Sequence, residues 1–176
     1  MVDLVPGVGL TLTRSASHLR FGDSLGKVLA MIQDSLSLFG TVKMIVPEQA
    51  ADASSQDVWL FLLQSGLKLK FDGATQELEH IEIFLVHRED APFAKRVNWS
   101  LRGHNLVGAA LTLEGIEQIM FQPTQPPRPQ PSGLSLLTYD SGIRFVFQPS
   151  AGGKAGKKET SLAKVLLSRP TSAIRG

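Results

Sequence analysis

Apolar and polar positions in the first half of the chain predict a helix that is preceded by short strands. Two β-like runs, 2–5 and 8–13, come first. Asp23 and Ser24 carry short oxygen side chains that suit a helix start. Five aliphatic residues then recur at three- and four-residue steps, on one helical face: Leu25, Val28, Leu29, Ile32 and Leu36. Gly40 can take the left-handed conformation that ends a helix.

A meander of four strands is predicted after this helix. The run 42–46 ends at Pro47, and the continuous apolar run 58–63 is typical of a strand that is covered on both faces. Residues 67–71 alternate between apolar residues and lysine, which indicates a half-buried strand. Residues 78–86 complete the meander. A helix across one face of such a sheet buries both apolar surfaces.

The second half repeats this order of elements with changes. Residues 93–101 are predicted to form an edge strand, and Thr112 suits the N-cap of a second helix. The segment 122–133 reads "QPTQPPRPQPSG", and its prolines predict an extended loop rather than a helix or a central strand. A hairpin over 134–147 and a strand over 162–167 follow.

Two nearly identical motifs suggest an internal repeat. "SGLKLKF" stands at 65–71 and "SGIRFVF" at 141–147, each after a short apolar run. We therefore expect an α+β fold made of two repeated units, each a helix packed on an antiparallel β-meander, that superpose about Gly66 and Gly142. The expected domain spans 1–150, with units of about 1–90 and 91–150. A basic, partly flexible segment is expected at 151–176.

Composition and charge exclude several classes of protein. The 176 residues include no cysteine, which removes disulfides, thiolate metal sites and cysteine nucleophiles. The net charge is +2, but residues 152–176 hold six bases and one acid, so residues 1–151 are mildly acidic. A folded nucleic-acid binder concentrates positive charge on its body, so nucleic-acid binding is not expected.

The sequence gives no sign of membrane insertion or secretion. No apolar run approaches the about 20 residues that span a bilayer. The N-terminus lacks a basic region followed by an apolar core, and Val2 stands where N-myristoylation needs glycine. We expect a soluble cytoplasmic protein.

No catalytic, cofactor or metal site is predicted. His18, His80, His87 and His104 do not pair at metal-ligand spacing. The segment 151–158, "AGGKAGKK", departs from a phosphate-binding loop at both ends, because Ala151 and Lys158 replace the required Gly and Ser or Thr. Nearby carboxylates have a plainer interpretation as a solvated strand face: Glu77, Glu79 and Glu82.

Two groups of residues are candidates for binding. Proline-rich segments dock on aromatic grooves because their extended form is already set. The candidate partner-binding residues are therefore Pro126, Pro127, Arg128 and Pro129, with Tyr139 of the adjoining hairpin. Three lysines in the 151–158 linker are candidates for contact with anionic lipid: Lys154, Lys157 and Lys158.

The chain resembles the N-terminal part of the phagosome assembly factor family. Asp3 to Leu10 matches the family's opening segment, and "VKMIVPEQAADASSQDVWLFLLQSGLKLKFDGATQELEHIEIFLV" matches its strand, polar loop and hairpin. The later "LEGIEQIMFQPTQP" and "SGIRFVF" extend the resemblance over residues 2–150. The proline tract departs from the family pattern, and the segment after 150 matches poorly. Family members are generally longer, so an N-terminal part or a short relative is expected.

The resemblance implies a function without catalysis. Members of the family act in autophagy, at the forming phagophore, in complex with a WD-repeat propeller protein. The expected location is the cytoplasm, with recruitment to the phagophore or other endomembranes. Two alternatives remain open. A lipid- or small-ligand-binding domain in membrane trafficking would hold a lined cavity between helix and sheet, and a hydrolase would need a cleft with convergent Asp and His.

Overall fold

A computed structural model of the protein describes residues 1–13, 17–46, 56–85, 97–106, 112–120, 123, 125–129, 134–149 and 160–170. The described helices are α1 Leu25–Asp34, α2 Leu36–Phe39 and α3 Leu113–Met120. The strands of the first half are β1 Val2–Val5, β2 Gly9–Leu12, β3 Ser17–Arg20, β4 Val42–Ile45, β5 Val58–Leu62, β6 Leu67–Phe71 and β7 Leu78–Phe84. Those of the second half are β8 Trp99–Leu101, β9 His104–Asn105, β10 Gln125–Pro129, β11 Ser135–Thr138, β12 Ile143–Pro149 and β13 Thr160–Ser168. The α+β class is confirmed.

The larger sheet consists of two antiparallel meanders joined side by side. Its eight strands lie in the order β10-β11-β12-β13-β7-β6-β5-β4. Strands β4 to β7 form one meander in chain order, and strands β10 to β13 form the other. The two meet where β13 pairs antiparallel with β7, over Lys164–Ser168 and His80–Phe84. Within the part of the chain that the structure describes, the free edges of the sheet are therefore β4 and β10.

The repeated sequence motif lies at corresponding places in the two meanders. Gly66 precedes β6 with a φ of 68°, and Gly142 precedes β12 with a φ of 77°. The Gly66 carbonyl accepts from the Phe84 amide at 2.8 Å, and the Gly142 carbonyl accepts from the Ser168 amide at 2.9 Å. A Cβ would meet the Phe84 or Ser168 carbonyl oxygen at 2.8 or 2.3 Å, so both turns require glycine. Superposition of the whole units stays a prediction.

A smaller sheet brings the two halves of the chain together a second time. Its order is β3-β2-β1-β8-β9, and β8 pairs parallel with β1. The expectation of an edge strand over 93–101 is therefore wrong, because β8 lies between β1 and β9. Residues 93–96 of that prediction lie outside the described residues.

Both predicted helix starts are observed, but the first helix is interrupted. The Ser24 hydroxyl accepts from the Lys27 amide at 3.4 Å, and the Thr112 hydroxyl accepts from the Gly115 amide at 3.2 Å. The predicted single helix is broken at Ser35, which caps both α1 and α2. As a result Leu36, expected on the buried face, is 51% exposed.

The core is one apolar cluster that includes residues of both sheets and of all three helices. Helix α1 contributes Val28 and Ile32, and strand β6 of the larger sheet contributes Leu69 and Phe71. All four side chains are at most 1% exposed. The expectation that β5 is covered on both faces is wrong. Its residues alternate between buried and half-buried because only one face of the sheet meets the core.

The C-terminal segment contributes a central strand. Strand β13 pairs with both β12 and β7, so residues 160–168 of the predicted 151–176 segment belong to the folded domain. The proline tract also differs from the expectation of a loop, because β10 pairs with β11 as an edge strand. An edge position tolerates proline, since one side of the strand needs no amide donors.

Phe71 provides a test of the core. Replacing this 0% exposed ring by alanine should lower the free energy of unfolding by ~3–5 kcal/mol. The matched change Phe61→Ala, on the half-buried side of β5, should cost clearly less. Chemical denaturation of the two variants and the parent measures both losses. A loss below about 1 kcal/mol for Phe71→Ala would contradict the observed burial.

The central position of β13 gives a second prediction. A chain truncated after Pro149 should lose its cooperative thermal transition, because β7 and β12 would each lose a paired strand and the core would lose Val165 and Leu167. A chain truncated after Pro170 should keep the transition. Circular dichroism during heating distinguishes them, and a cooperative transition in the shorter chain would show that β13 is dispensable.

Candidate functional site

The open edge of the larger sheet is the strongest candidate for a binding surface. Strand β4 pairs on one side with β5, and among the described residues no strand pairs with its other side. An unpaired edge presents a row of backbone amides and carbonyls that can bind another extended chain. α2 leads into this edge through Gly40, which takes a φ of 70° and packs against the Gln64 side chain.

Exposed apolar side chains concentrate on β4 and on the segments that adjoin it. Among the described residues seven large hydrophobic side chains are exposed, and five of them lie on α2, on β4 with its next residue, or just after β5. We call these five the apolar edge: Leu36, Met44, Ile45, Val46 and Leu63. Met44 is 54% exposed and Val46 is 49% exposed. Since large apolar patches on soluble proteins often mark interaction sites, the apolar edge fits a docking surface.

The opposite edge is formed by the predicted proline residues. Pro126, Pro127 and Pro129 lie in β10, and Arg128 is exposed. Three of the five residues of β10 therefore lack an amide hydrogen, which makes this edge a poor template for a further strand. Tyr139 is only 6% exposed, and its ring meets the Phe145 ring edge-on at 5.9 Å between centroids. The partner-binding role of these five residues stays a prediction.

The sheet face opposite the core carries aromatic rings covered by lysines. The Lys68 ammonium lies 3.8 Å from the centroid of the Trp59 ring and 5.2 Å from that of Phe61. The Lys164 ammonium lies 4.9 Å from the centroid of the Phe84 ring. Lysine stems and cation–π contacts of this kind shield apolar rings while the charge stays near water. This face is thus partly covered by the protein's own side chains.

Three carboxylates meet around one lysine at one end of strands β5, β6 and β7. Oxygen atoms of Asp57, Asp72 and Glu79 lie within 4.8 Å of one another, a spacing that a cation could bridge. The Lys70 ammonium lies 2.8 Å from Asp57 and 3.4 Å from Glu79, so the protein supplies a cation of its own. The hydrogen bond to Asp57 raises the pKa of Lys70, although partial burial opposes it.

Asp72 in this cluster has a structural role in the β6–β7 turn. Its carboxylate accepts hydrogen bonds from the amides of Ala74 and Thr75 and from the Thr75 hydroxyl. These hydrogen bonds lower the pKa of Asp72, and the bond from the Thr75 amide has the largest effect. The carboxylate therefore stabilises the turn in its ionised form.

A polar network surrounds His80 where the two meanders join. The His80 Nδ1 lies 2.8 Å from the Ser168 hydroxyl, and the oxygen of that hydroxyl accepts a hydrogen bond from Arg144 at 3.2 Å. Burial is the main cause that lowers the pKa of His80, and the charges of Arg144, Lys70 and Lys164 act in the same direction. Glu82 opposes them from 3.9 Å. A neutral imidazole that accepts at Nδ1 fits this arrangement.

Comparison with protein families matches residues 15–172 to phagosome assembly factor 1. The chain belongs to this family. The resemblance inferred from the hairpin motifs is confirmed, and the match extends past residue 150 to include β13. The family name connects the chain with phagosome assembly, an autophagy-related process. Comparison with the curated proteins and with the solved structures found no significant match.

The structure describes only some of the residues that the sequence singled out as candidates. Lys154, Lys157 and Lys158 lie outside the described residues, and their contact with anionic lipid stays a prediction. His18 and His104 are exposed, and His80 is half-buried in the network above. Within the described residues, no helix is both long and apolar enough to cross a bilayer.

The sequence predicted β4 as a strand but did not predict that it lies at the edge of the sheet. Strand order depends on pairing between distant segments, and a local pattern contains no record of it. The one available signal was a run of apolar residues on both faces at 44–46, which departs from the alternation of a half-buried strand.

The environment of His80 predicts a pH dependence of stability. Because the pKa of His80 is lowered in the folded state, the unfolded chain takes up this proton first as the pH falls below about 6.5. Stability from neutral His80 is therefore complete above that pH and is lost on acidification through the folded pKa. The difference in unfolding free energy between the parent and His80→Asn should shrink between pH 7 and pH 5.

Urea denaturation at several pH values measures this difference. If the His80→Asn curve runs parallel to the parent curve from pH 7 to pH 5, the assignment of a lowered pKa to His80 is wrong.

Proposed function

We propose that the chain is a non-catalytic protein-interaction module that acts in phagophore assembly and binds a WD-repeat propeller protein. Membership of the phagosome assembly factor 1 family supports the process, and the family resemblance suggests the partner. The apolar edge of the larger sheet supplies the binding surface in this proposal. It lies in the first meander, whereas the sequence-based candidates Pro126 to Pro129 lie at the opposite end of the same sheet.

The clustering of exposed apolar side chains on one edge is the observation that carries this proposal. Interfaces draw most of their binding energy from a few anchors that become buried. Met44, Ile45 and Val46 follow one another in the chain and are each at least 39% exposed. Such side chains gain free energy when a partner covers them, because apolar surface leaves water.

The packed space between helix and sheet favours an interaction module over the ligand-binding alternative. Val28 and Ile32 of α1 belong to the same buried cluster as Leu60, Leu69 and Phe71 of the sheet. All five side chains are at most 1% exposed. Side chains of the protein itself therefore fill the helix–sheet contact that a bound lipid would need to occupy.

The charged groups of the larger sheet are mostly engaged with one another, which is the arrangement of a structural surface. Glu82 lies 3.2 Å from the Lys164 ammonium and 3.9 Å from that of Lys68. Arg169 pairs with Glu77 at 3.0 Å across the two meanders. The Lys164 and Arg169 pairs join the β13 side to β7, and the Lys68 pair joins β6 to β7. They support a role of the acids in holding the sheet rather than in moving protons.

The proposal is tested by substitution on the apolar edge. Ile45→Asp should reduce capture of the WD-repeat propeller protein by the full chain at least tenfold, because the change places a carboxylate in the proposed contact. The 39% exposure of Ile45 should let this variant keep the fold, which circular dichroism checks. Quantitative pull-down at equal protein concentrations measures the loss.

Arg128→Asp on β10 is the matched control, because it changes an exposed side chain on the opposite edge of the same sheet. It should leave capture within twofold of the parent. Loss of capture with Arg128→Asp, together with normal capture by Ile45→Asp, would move the binding surface to the proline-rich edge.

A further inference from the structure

The backbone of β4 directs the amide and carbonyl groups of alternate residues away from the sheet. The Leu63 amide donates to the Thr41 carbonyl at 3.2 Å, so Thr41 and Leu63 form a hydrogen-bonded pair. In an antiparallel ladder such pairs alternate with non-hydrogen-bonded pairs. The register pairs Lys43 with Phe61 and Ile45 with Trp59. Lys43 and Ile45 therefore bond to β5, whereas the amides and carbonyls of Val42 and Met44 point to the open side.

We infer that β4 binds an extended segment of a partner protein as a ninth strand, and that this segment carries an acidic residue opposite Lys43. The inference rests on the proposed function, since it specifies how the apolar edge takes up its partner. Strand addition gains affinity from main-chain hydrogen bonds and specificity from alternate side chains.

The side chains of β4 specify an alternating partner segment. Met44 lies opposite Leu60 on the core side of the sheet, but it is 54% exposed because nothing among the described residues lies beyond it. A ninth strand with apolar residues on this side would cover Met44 and continue the core. Ile45 lies on the other side, opposite Trp59.

Charge determines the residue that faces Lys43. Lys43 is exposed on the same side of the sheet as Phe61, and no ion pair joins it to an acid among the described residues. Lys68 of β6 lies opposite Phe61 on the same side of the sheet, and its ammonium lies near the Trp59 and Phe61 rings. Opposite charges directly across a strand pair are favourable, so an acidic residue fits this position and a basic one does not.

A second copy of the chain fits the edge less well. In an antiparallel pair of two β4 strands, the outward-directed backbone groups belong to the even-numbered residues, so these residues must pair with one another. Full overlap of residues 42–46 then places Met44 opposite Met44 and Lys43 opposite Ile45. Neither lysine then gains an acid, and shifting the register by one pair sets Lys43 against Lys43. The observations therefore favour a different partner with its own carboxylate.

A synthetic peptide provides the direct test on the full chain. The probe is an acetylated, amidated seven-residue peptide with valine at positions 1, 3, 5 and 7, threonine at positions 2 and 6, and glutamate at position 4. At saturation it should slow amide hydrogen exchange at least fivefold at Val42 and Met44. Exchange at Lys43 and Ile45 should change little, because those amides already bond to β5. Unchanged exchange at Val42 and Met44 with 1 mM peptide would overturn strand addition.

Charge reversal tests the acidic residue. A peptide with lysine in place of glutamate should bind the parent about two- to fivefold more weakly and should regain that factor with the Lys43→Glu variant. Equal binding of both peptides by both proteins would overturn the acidic specificity. Concentration-dependent dimers that Ile45→Asp dissociates, without peptide binding, would identify a second copy as the occupant and overturn the partner segment.

Edge-blocking variants separate this inference from the proposed function. Met44→Pro removes an outward amide without breaking a bond to β5, and Met44→Ala is the control that shortens the same side chain. Capture of the WD-repeat propeller protein should fall at least tenfold more with proline than with alanine. If Ile45→Asp abolishes capture while Met44→Pro equals Met44→Ala, the interaction module stands and strand addition fails. If all three variants capture the propeller normally, the apolar edge is not its binding surface.

Discussion

The pairing of β7 with β13 is the contact on which the rest of the structure depends. It joins two four-stranded meanders into one sheet and brings a segment near the C-terminus into the centre of the domain. Buried side chains on one face and the ion pairs of Glu82 and Glu77 on the other hold this contact. His80 and Ser168 lie directly opposite each other at its end. Because both meanders share this one line of hydrogen bonds, neither is expected to be stable without it.

One consequence of this arrangement is that the sheet has two unlike edges. Joining the meanders through their last strands leaves the first strand of each, β4 and β10, at the outside. Prolines protect β10 against further pairing, because they remove amide donors. Lys43 is the one charged residue of strand β4, and the apolar residues Met44 and Ile45 beside it are exposed. The same topology thus produces one proline-rich edge and one edge with exposed apolar side chains.

The face of the larger sheet that lies opposite the core is covered by the protein's own charged side chains. Its rings lie under lysine ammonium groups, and its carboxylates lie close to lysines and arginines of neighbouring strands. Exposed ion pairs contribute little stability one by one, but together they satisfy the charges of a broad sheet face without a second layer. Among the described residues, exposed apolar side chains are instead concentrated on and beside β4, where they lack such cover.

Local patterns in the sequence determined most of the secondary structure. The oxygen side chains of Ser24 and Thr112 marked helix starts that the structure confirms, because an N-cap depends on residues only three positions apart. The alternation over 67–71 and the turn glycines predicted the hairpins. The motifs of the first hairpin also led to the family, which residues 15–172 confirm.

Tertiary structure alone decided strand order and exposure. The parallel pairing of β1 with β8 and the central position of β13 join segments separated by about half of the chain, and no local pattern encodes such contacts. Trp59 and Phe61 of β5 looked like core residues in the sequence, but their rings are half-buried on the face opposite the core, where Lys68 of β6 lies over them. β4 became a candidate binding edge for the same reason: whether an apolar strand is central or open depends on which distant strand pairs with it.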